Sequence, residues 1–162
     1  MLLCQRLRLS PPYIVEARLL TSATKRMGFF QQTAKPRILF YELPGGWTLL
    51  VGASDADNDY LSIEVAQPED WWFHADKVPG SHVILRAKPD EEPSSGTLRQ
   101  AAAVAAYHSK ARNAGTTGVH CTRARYVTKP RGVKTGTVNV KHGKILKVRP
   151  DISFASRKRS EG

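Results

Sequence analysis

Between Asp70 and Leu85 the sequence reads DWWFHADKVPGSHVIL, and this stretch holds the residue types with the widest chemical reach. His74 and His82 flank Pro79-Gly80-Ser81, so two imidazoles and a hydroxyl stand beside a glycine, where a phosphate or sugar can approach the backbone. Histidines of ordinary pKa next to phosphate would tighten their hold as pH falls from about 8 to about 6, because imidazolium donates from both nitrogens. The same loop raises an alternative, an enzyme acting on RNA or nucleotide through His74, Ser81 and His82. That requires Ser81 or Cys121 to be activated by a base, and the adjacency of Ser81 and His82 does not supply the geometry. The expectation is therefore a non-catalytic chain. No metal is expected either: two histidines eight residues apart are too few ligands, and spacing supplies no third. Asp55, Asp57 and Asp59 imitate a calcium loop, but there is no glycine at the sixth position, and Val65 or Ala66 stands where a bidentate acid is needed. No cofactor is called for.

A second constellation is cationic. The chain carries a formal net charge of +11, and residues 99–162 hold fifteen Lys/Arg against two acids. Lys110, Arg112, Arg123, Arg125, Lys129, Arg131 and Lys134 fall in this basic half. Such a face attracts polyanions with a strong salt dependence, so nucleic acid is the leading partner class. An acidic membrane surface or an acidic protein is the alternative, and the acid-rich segment 54–70 could instead serve protein interaction. The loop Lys129-Pro-Arg-Gly-Val-Lys-Thr-Gly136 is not a phosphate-cradling Walker element, because its glycines are too closely spaced and no Gly-Lys-Ser/Thr ends it. No run of eighteen apolar residues is present, so no membrane span is expected. Cys4 and Cys121 match no zinc or disulfide framework, which makes a reducing, cytoplasmic setting the default.

These groups need elements to position them. Trp71-Trp72-Phe73 suits a strand, Pro79-Gly80-Ser81 a turn, and Val83-Ile84-Leu85 a buried strand. Adjacent in a strand, Trp71 and Trp72 point to opposite faces, so at least one belongs to the core. Ile38 to Tyr41 and Thr48 to Val51 flank Leu43-Pro44-Gly45-Gly46 and predict another hairpin. Ser54 to Ala66 reads as a short helix that closes before Pro68. Thr97 to Asn113 reads as a helix with Ser94 or Ser95 as N-cap, Gly115 as stop, and an alanine-rich middle that can lie close against a sheet. Val119 to Val127 and Thr137 to Val148 read as strands, with Arg123 and Arg125 on one face. The fold class expected is α+β: a mostly antiparallel sheet of hairpins, with a long Ala-rich helix and a shorter helix packed on it.

Residues 1–35 are expected to be a leader, 36–152 the folded domain, and 153–162 a basic tail. The leader carries Arg6, Arg8, Arg18, Lys25 and Arg26 with a single acid, Glu16, a composition shared by organelle transit peptides and by disordered extensions. Neither periodicity nor a cleavage signal is legible there.

The order of motifs resembles one family. Val51-Gly52, Asn58-Asp59-Tyr60-Leu61, Asp70-Trp71-Trp72-Phe73-His74, Pro79-Gly80-Ser81-His82-Val83-Ile84, the Ala-Ala helix ending Tyr107-His108-Ser109-Lys110-Ala111-Arg112, and Val127-Thr128-Lys129-Pro130-Arg131-Gly132 before Gly136-Thr137-Val138 together resemble the NFACT RNA-binding domain, NFACT-R. That domain occurs in the ribosome quality-control proteins RqcH and NEMF. The resemblance spans roughly residues 37–151 and implies binding of structured RNA: tRNA, large-subunit rRNA or the large ribosomal subunit itself. By position it assigns His74, Pro79, Gly80, Ser81 and His82 to the signature loop, and Lys129, Pro130, Arg131 and Gly132 to a basic loop. Trp71, Trp72, Pro79, Gly80 and Gly132 are read as structural parts of that signature. Taken as a stand-alone NFACT-R chain, it lacks the N-terminal, helix-hairpin-helix and coiled-coil parts of full-length members, so alanine tailing is not implied.

Overall fold

Runs of large apolar residues set up β1 (Ile38–Leu43) and β2 (Trp47–Gly52), an antiparallel hairpin closed through Pro44-Gly45-Gly46 with Leu43 opposite Trp47. The computed structural model, which describes residues 34–159, extends this hairpin into a seven-stranded sheet in the order β8-β5-β3-β4-β2-β1-β9. The added strands are β3 (Trp71–Ala75), β4 (Val83–Leu85), β5 (Thr117–Arg123), β8 (Lys144–Val148) and β9 (Ser156–Lys158), and every pairing is antiparallel. A separate two-stranded ribbon joins β6 (Val127–Thr128) to β7 (Asn139–Val140). Most of the expected leader, residues 1–33, lies outside the described residues. Within the stretch expected as a basic tail, Ser156–Lys158 pairs with Phe40, Tyr41 and Glu42 of β1.

Period-two alternation splits the sheet residues between two cores. On one face Leu49, Val51, Phe73, Val83, Leu85, Val119 and Cys121 pack against α2 (Ser95–Tyr107), whose alanines 101, 102, 105 and 106 are wholly buried. Small side chains bring the helix close to the sheet, so the larger strand residues fill the space; full burial of each is worth about 1.5–3 kcal/mol. On the other face Leu50, Trp72 and Ile84 pack against Leu61 and Val127, from a short helical segment and the β6–β7 ribbon. That segment is α1 (Asp55–Tyr60), running directly into five residues of π-helix, Leu61–Val65. Ser54 caps α1 by accepting from the Asp57 N–H at 3.2 Å.

The expectation of a long Ala-rich helix is overturned. α2 has 13 residues and ends at Tyr107, not Asn113, and α1 with its π-helical continuation is shorter still; the architecture is mostly antiparallel sheet. The cause is competition for backbone groups. The Ser81 N–H donates to the His108 carbonyl at 3.0 Å, and the Lys110 N–H donates to the Pro79 carbonyl at 2.9 Å. The Ser109 hydroxyl meanwhile donates back to the Ala106 carbonyl at 2.7 Å, a local bond that satisfies an end carbonyl of the helix. The turn that would continue the helix is thus bonded to the signature loop instead.

The expectation that Arg123 and Arg125 share a strand face is corrected too. β5 ends at Arg123, and Ala124–Tyr126 forms a 3₁₀ turn, fixed by Ala124 N–H donating to the Asp70 carbonyl at 2.8 Å. Asp70 is itself fully buried, and its carboxylate accepts from the Gln67 N–H, the Ala87 N–H and the Arg86 guanidinium at 2.6–2.8 Å. This ties the start of β3 to the end of β4, closing one end of the pair.

Candidate nucleic-acid interface

Three histidines lie side by side on the sheet face opposite α2. His74 in β3 pairs in register with His120 in β5, and His82 immediately precedes β4. The His74 and His82 rings meet edge to face with centroids 5.3 Å apart, and His82 also meets Trp72 edge to face at 5.1 Å. His82 is only 2% exposed because the helical segment above the sheet covers it. Its backbone N–H donates to Asn58 Oδ1 at 2.9 Å. Its Nδ1 lies 2.7 Å from Ser62 Oγ and 3.2 Å from the Asn58 carbonyl. A carbonyl can only accept, so the tautomer with the proton on Nδ1 satisfies both contacts. Ser62 Oγ accepts in addition from Trp72 Nε1–H at 3.0 Å.

Burial favours the neutral forms of His74 and His82. It pushes His82 down to about 4, with the neighbouring His74 adding to the effect. His74 is lowered as well, first by burial and then by His120, while its hydrogen bond with the Gly80 backbone opposes the shift. The sequence-based expectation of phosphate binding tuned between pH 8 and 6 therefore fails for His82, which stays unprotonated throughout that range. His120, at the rim, donates from Nε2 to Asp76 Oδ1 at 2.9 Å.

These histidines form the floor of a cleft of about 380 Å³ whose far wall is Gly136, Thr137, Val138 and Val140, from the loop joining β6 to β7 and from β7 itself. The structure thus sets His74 and His82 of the signature loop against the segment that follows the basic loop. Lys129 fastens that wall. Its ammonium group makes an ion pair with Asp59 at 3.0 Å and donates to the carbonyls of Lys134 and Thr137 at 2.7 and 2.8 Å, so its three donors are used internally. Gly132 turns the loop at φ +77°, in the left-handed region that glycine adopts freely. Arg131 and Lys134 stand exposed on this loop, and Lys141 stands exposed just after β7.

Other residues singled out from the sequence lie elsewhere. Ser81 does not line the histidine cleft; with Asn58, Pro79, Gly80, Ser109 and Lys110 it lines a separate cleft of about 320 Å³. Gly80 is required there by proximity, since a Cβ at that position would lie 2.6 Å from Ser109 Cβ. Arg112 stacks on the Tyr107 ring with its guanidinium carbon 3.8 Å from the centroid, and it donates to the Tyr107 hydroxyl. Arg123 lies 4.1 Å over the half-buried Trp71 ring and pairs with Glu92 at 2.6 Å, while Arg125 pairs with Glu69 at 2.5 Å. Trp72 is buried on the opposite face. Cys121 is buried, and burial pushes its thiol up to about 11, which leaves it without a thiolate at neutral pH. Among the described residues no group of three His, Cys, Asp or Glu is placed to hold a metal ion, and no helix is long and apolar enough to cross a membrane.

Sequence reasoning missed Asn58, Ser62 and Asp76, the polar groups that hold the histidines. A signal was present for the first two: they stand four residues apart on one helix face beside Leu61, where a polar pair must find partners inside.

A family model described as the NFACT protein RNA binding domain matches residues 37–142. The chain is similar to the Rqc2 homolog RqcH of Bacillus subtilis strain 168, at 36% identity over 138 residues that make up 85% of this chain and 24% of that protein. It is also similar to the Rqc2 homolog RqcH of Streptococcus suis, at 39% identity over 106 residues, 65% of this chain and 19% of that one. Among solved structures, the C-terminal part of the fibronectin/fibrinogen-binding protein from Streptococcus suis matches with a TM-score of 0.67 and 35% identity, over 72% of this chain and 47% of that one. The chain therefore spans about a quarter or less of the length of these curated relatives.

Proposed function

This chain belongs to the NFACT RNA-binding domain family, and from that membership and its geometry we propose that it is a non-catalytic module binding tRNA or large-subunit rRNA in ribosome-associated quality control. The observation that carries the reading is the β6–β7 hairpin. A lysine with all its donors satisfied internally, Lys129, holds the loop in shape. On that fixed loop Arg131 and Lys134 are exposed, with Lys141 at its far end, so their charges are free to meet phosphates. Arg123 and Arg125 are already engaged with Glu92 and Glu69, and RNA would have to displace those acids to reach them. Lys110 and Arg112, exposed after α2, offer a second point of phosphate contact.

The enzymatic alternative loses support. Ser81 opens into a different cleft from His74 and His82, and Cys121 is kept as a thiol. The large ribosomal subunit is the proposed larger partner, in keeping with the RqcH relatives, and the cytoplasm is the proposed setting. Binding of tRNA, a large-subunit rRNA fragment and duplex DNA of equal length, compared at several salt concentrations, tests the reading. Tighter binding of either RNA than of DNA supports it, and equal or absent binding refutes it.

A further inference from the structure

We propose that the histidine cleft takes a single unstacked nucleobase, so that the domain reads a flipped or single-stranded position of its RNA as well as its phosphates. This rests on the RNA-binding reading and goes beyond it by naming the ligand and its site. Size is the first argument. At about 380 Å³ the cleft lies near the small end of the ~300–1,000 Å³ range of small-ligand pockets, which suits one base and excludes a helix. Surface is the second. Trp72 and His74 stack with centroids 6.0 Å apart and an interplanar angle of 25°; Trp72 is buried, so the half-buried His74 ring is the flat surface offered to a heterocycle, while Val138 and Val140 line the cleft from the ribbon side.

Polarity is the third argument. His82 presents a neutral ring to the cleft, and burial holds His74 in the same direction. With its Nδ1–H held by Ser62 and Asn58, the neutral His82 ring keeps only Nε2, an acceptor, for a base edge, and it carries no net charge for phosphate. One cation, Lys77, lines the cleft, and its chain neighbour Asp76 places a carboxylate beside it, bonded to His120. Phosphates would instead meet Arg131 and Lys134 on the loop above, as expected when backbone contacts position and base contacts specify.

The test uses the full chain with 5′-AMP, GMP, CMP and UMP as probes, and ribose 5-phosphate as the probe without a base. Side-chain imidazole nitrogen spectra report His74, His82 and His120 directly. At least one nucleotide should shift the His74 and His120 signals saturably, and bind at least about fivefold more tightly than ribose 5-phosphate. Thr137→Trp, which fills the cleft from its exposed wall, and His74→Ala, which removes the platform, should each abolish the preference while the melting temperature confirms a folded chain. Equal response to ribose 5-phosphate, or a preference that survives both variants, overturns the base site. If tRNA binds with its normal salt dependence in that case, the RNA reading stands and only the base pocket falls; if tRNA fails to bind, both fall.

Discussion

Ser62→Ala should cost far more than the loss of one hydroxyl on a surface helix. Ser62 is 5% exposed, and its Oγ accepts from Trp72 Nε1–H at 3.0 Å and lies 2.7 Å from His82 Nδ1. Removal orphans the indole donor, while His82 keeps the Asn58 carbonyl at 3.2 Å. A buried donor left unpaired costs about 1–3 kcal/mol, and the weakened His82 contact adds a fraction of a further bond, so about 2–3 kcal/mol is expected. For a domain of this size that lowers the melting temperature by roughly 5–10 °C. Urea unfolding measures it: the midpoint should fall with an unchanged slope, since the native fold is kept. A cycle with Trp72→Phe isolates the cause. Phenylalanine carries no N–H to orphan, so Ser62→Ala should be markedly milder in that background. A cost below about 0.5 kcal/mol in the wild-type background, or an equal cost with Trp72→Phe, would refute the reasoning.

Stability should also follow pH through His82. Its folded pKa of about 4 lies below the unfolded value of about 6.5, so the unfolded state binds the proton first and stability falls as pH drops from about 6.5 to about 4. The total from this residue is of order 3 kcal/mol; urea midpoints that stay flat between pH 7 and 4.5 would contradict the burial argument. Gly80→Ala should destabilise by about 1–3 kcal/mol, because the new Cβ meets Ser109 Cβ at 2.6 Å, and Ser109→Gly should recover part of that loss in thermal melts. Asp70→Ala should cost about 3–5 kcal/mol in urea unfolding, since it strands the Arg86 charge and two backbone donors.

The hairpins were legible because their signals are local: apolar runs bounded by proline and glycine name β1 and β2 and the β3–β4 pair without reference to anything distant. The end of α2 was not, because it is set by Pro79-Gly80-Ser81, a segment that comes earlier in the chain and claims the backbone of residues 108–110. The exposure of His82 was undecidable for a similar reason. Alternation places it with Ile84, and both faces of this sheet are covered. Lys129 reads in sequence like Arg131 and Lys134, one more cation on a polar loop. Only the approach of Asp59, seventy residues earlier, distinguishes a fastener from an exposed charge. The fold's basic half was visible in composition, but which cations are spent internally is a matter of three-dimensional pairing.

The most direct test of RNA binding through the β6–β7 hairpin is the salt dependence of tRNA affinity for the wild-type chain and for Arg131→Ala/Lys134→Ala/Lys141→Ala. Each phosphate contact contributes about 0.9 to the slope of log affinity against log salt on duplex nucleic acid, so the triple variant should bind more weakly with a slope shallower by up to about three units. Unchanged affinity and an unchanged slope in a variant that melts like the wild type would contradict the assignment of this hairpin as the RNA-facing surface.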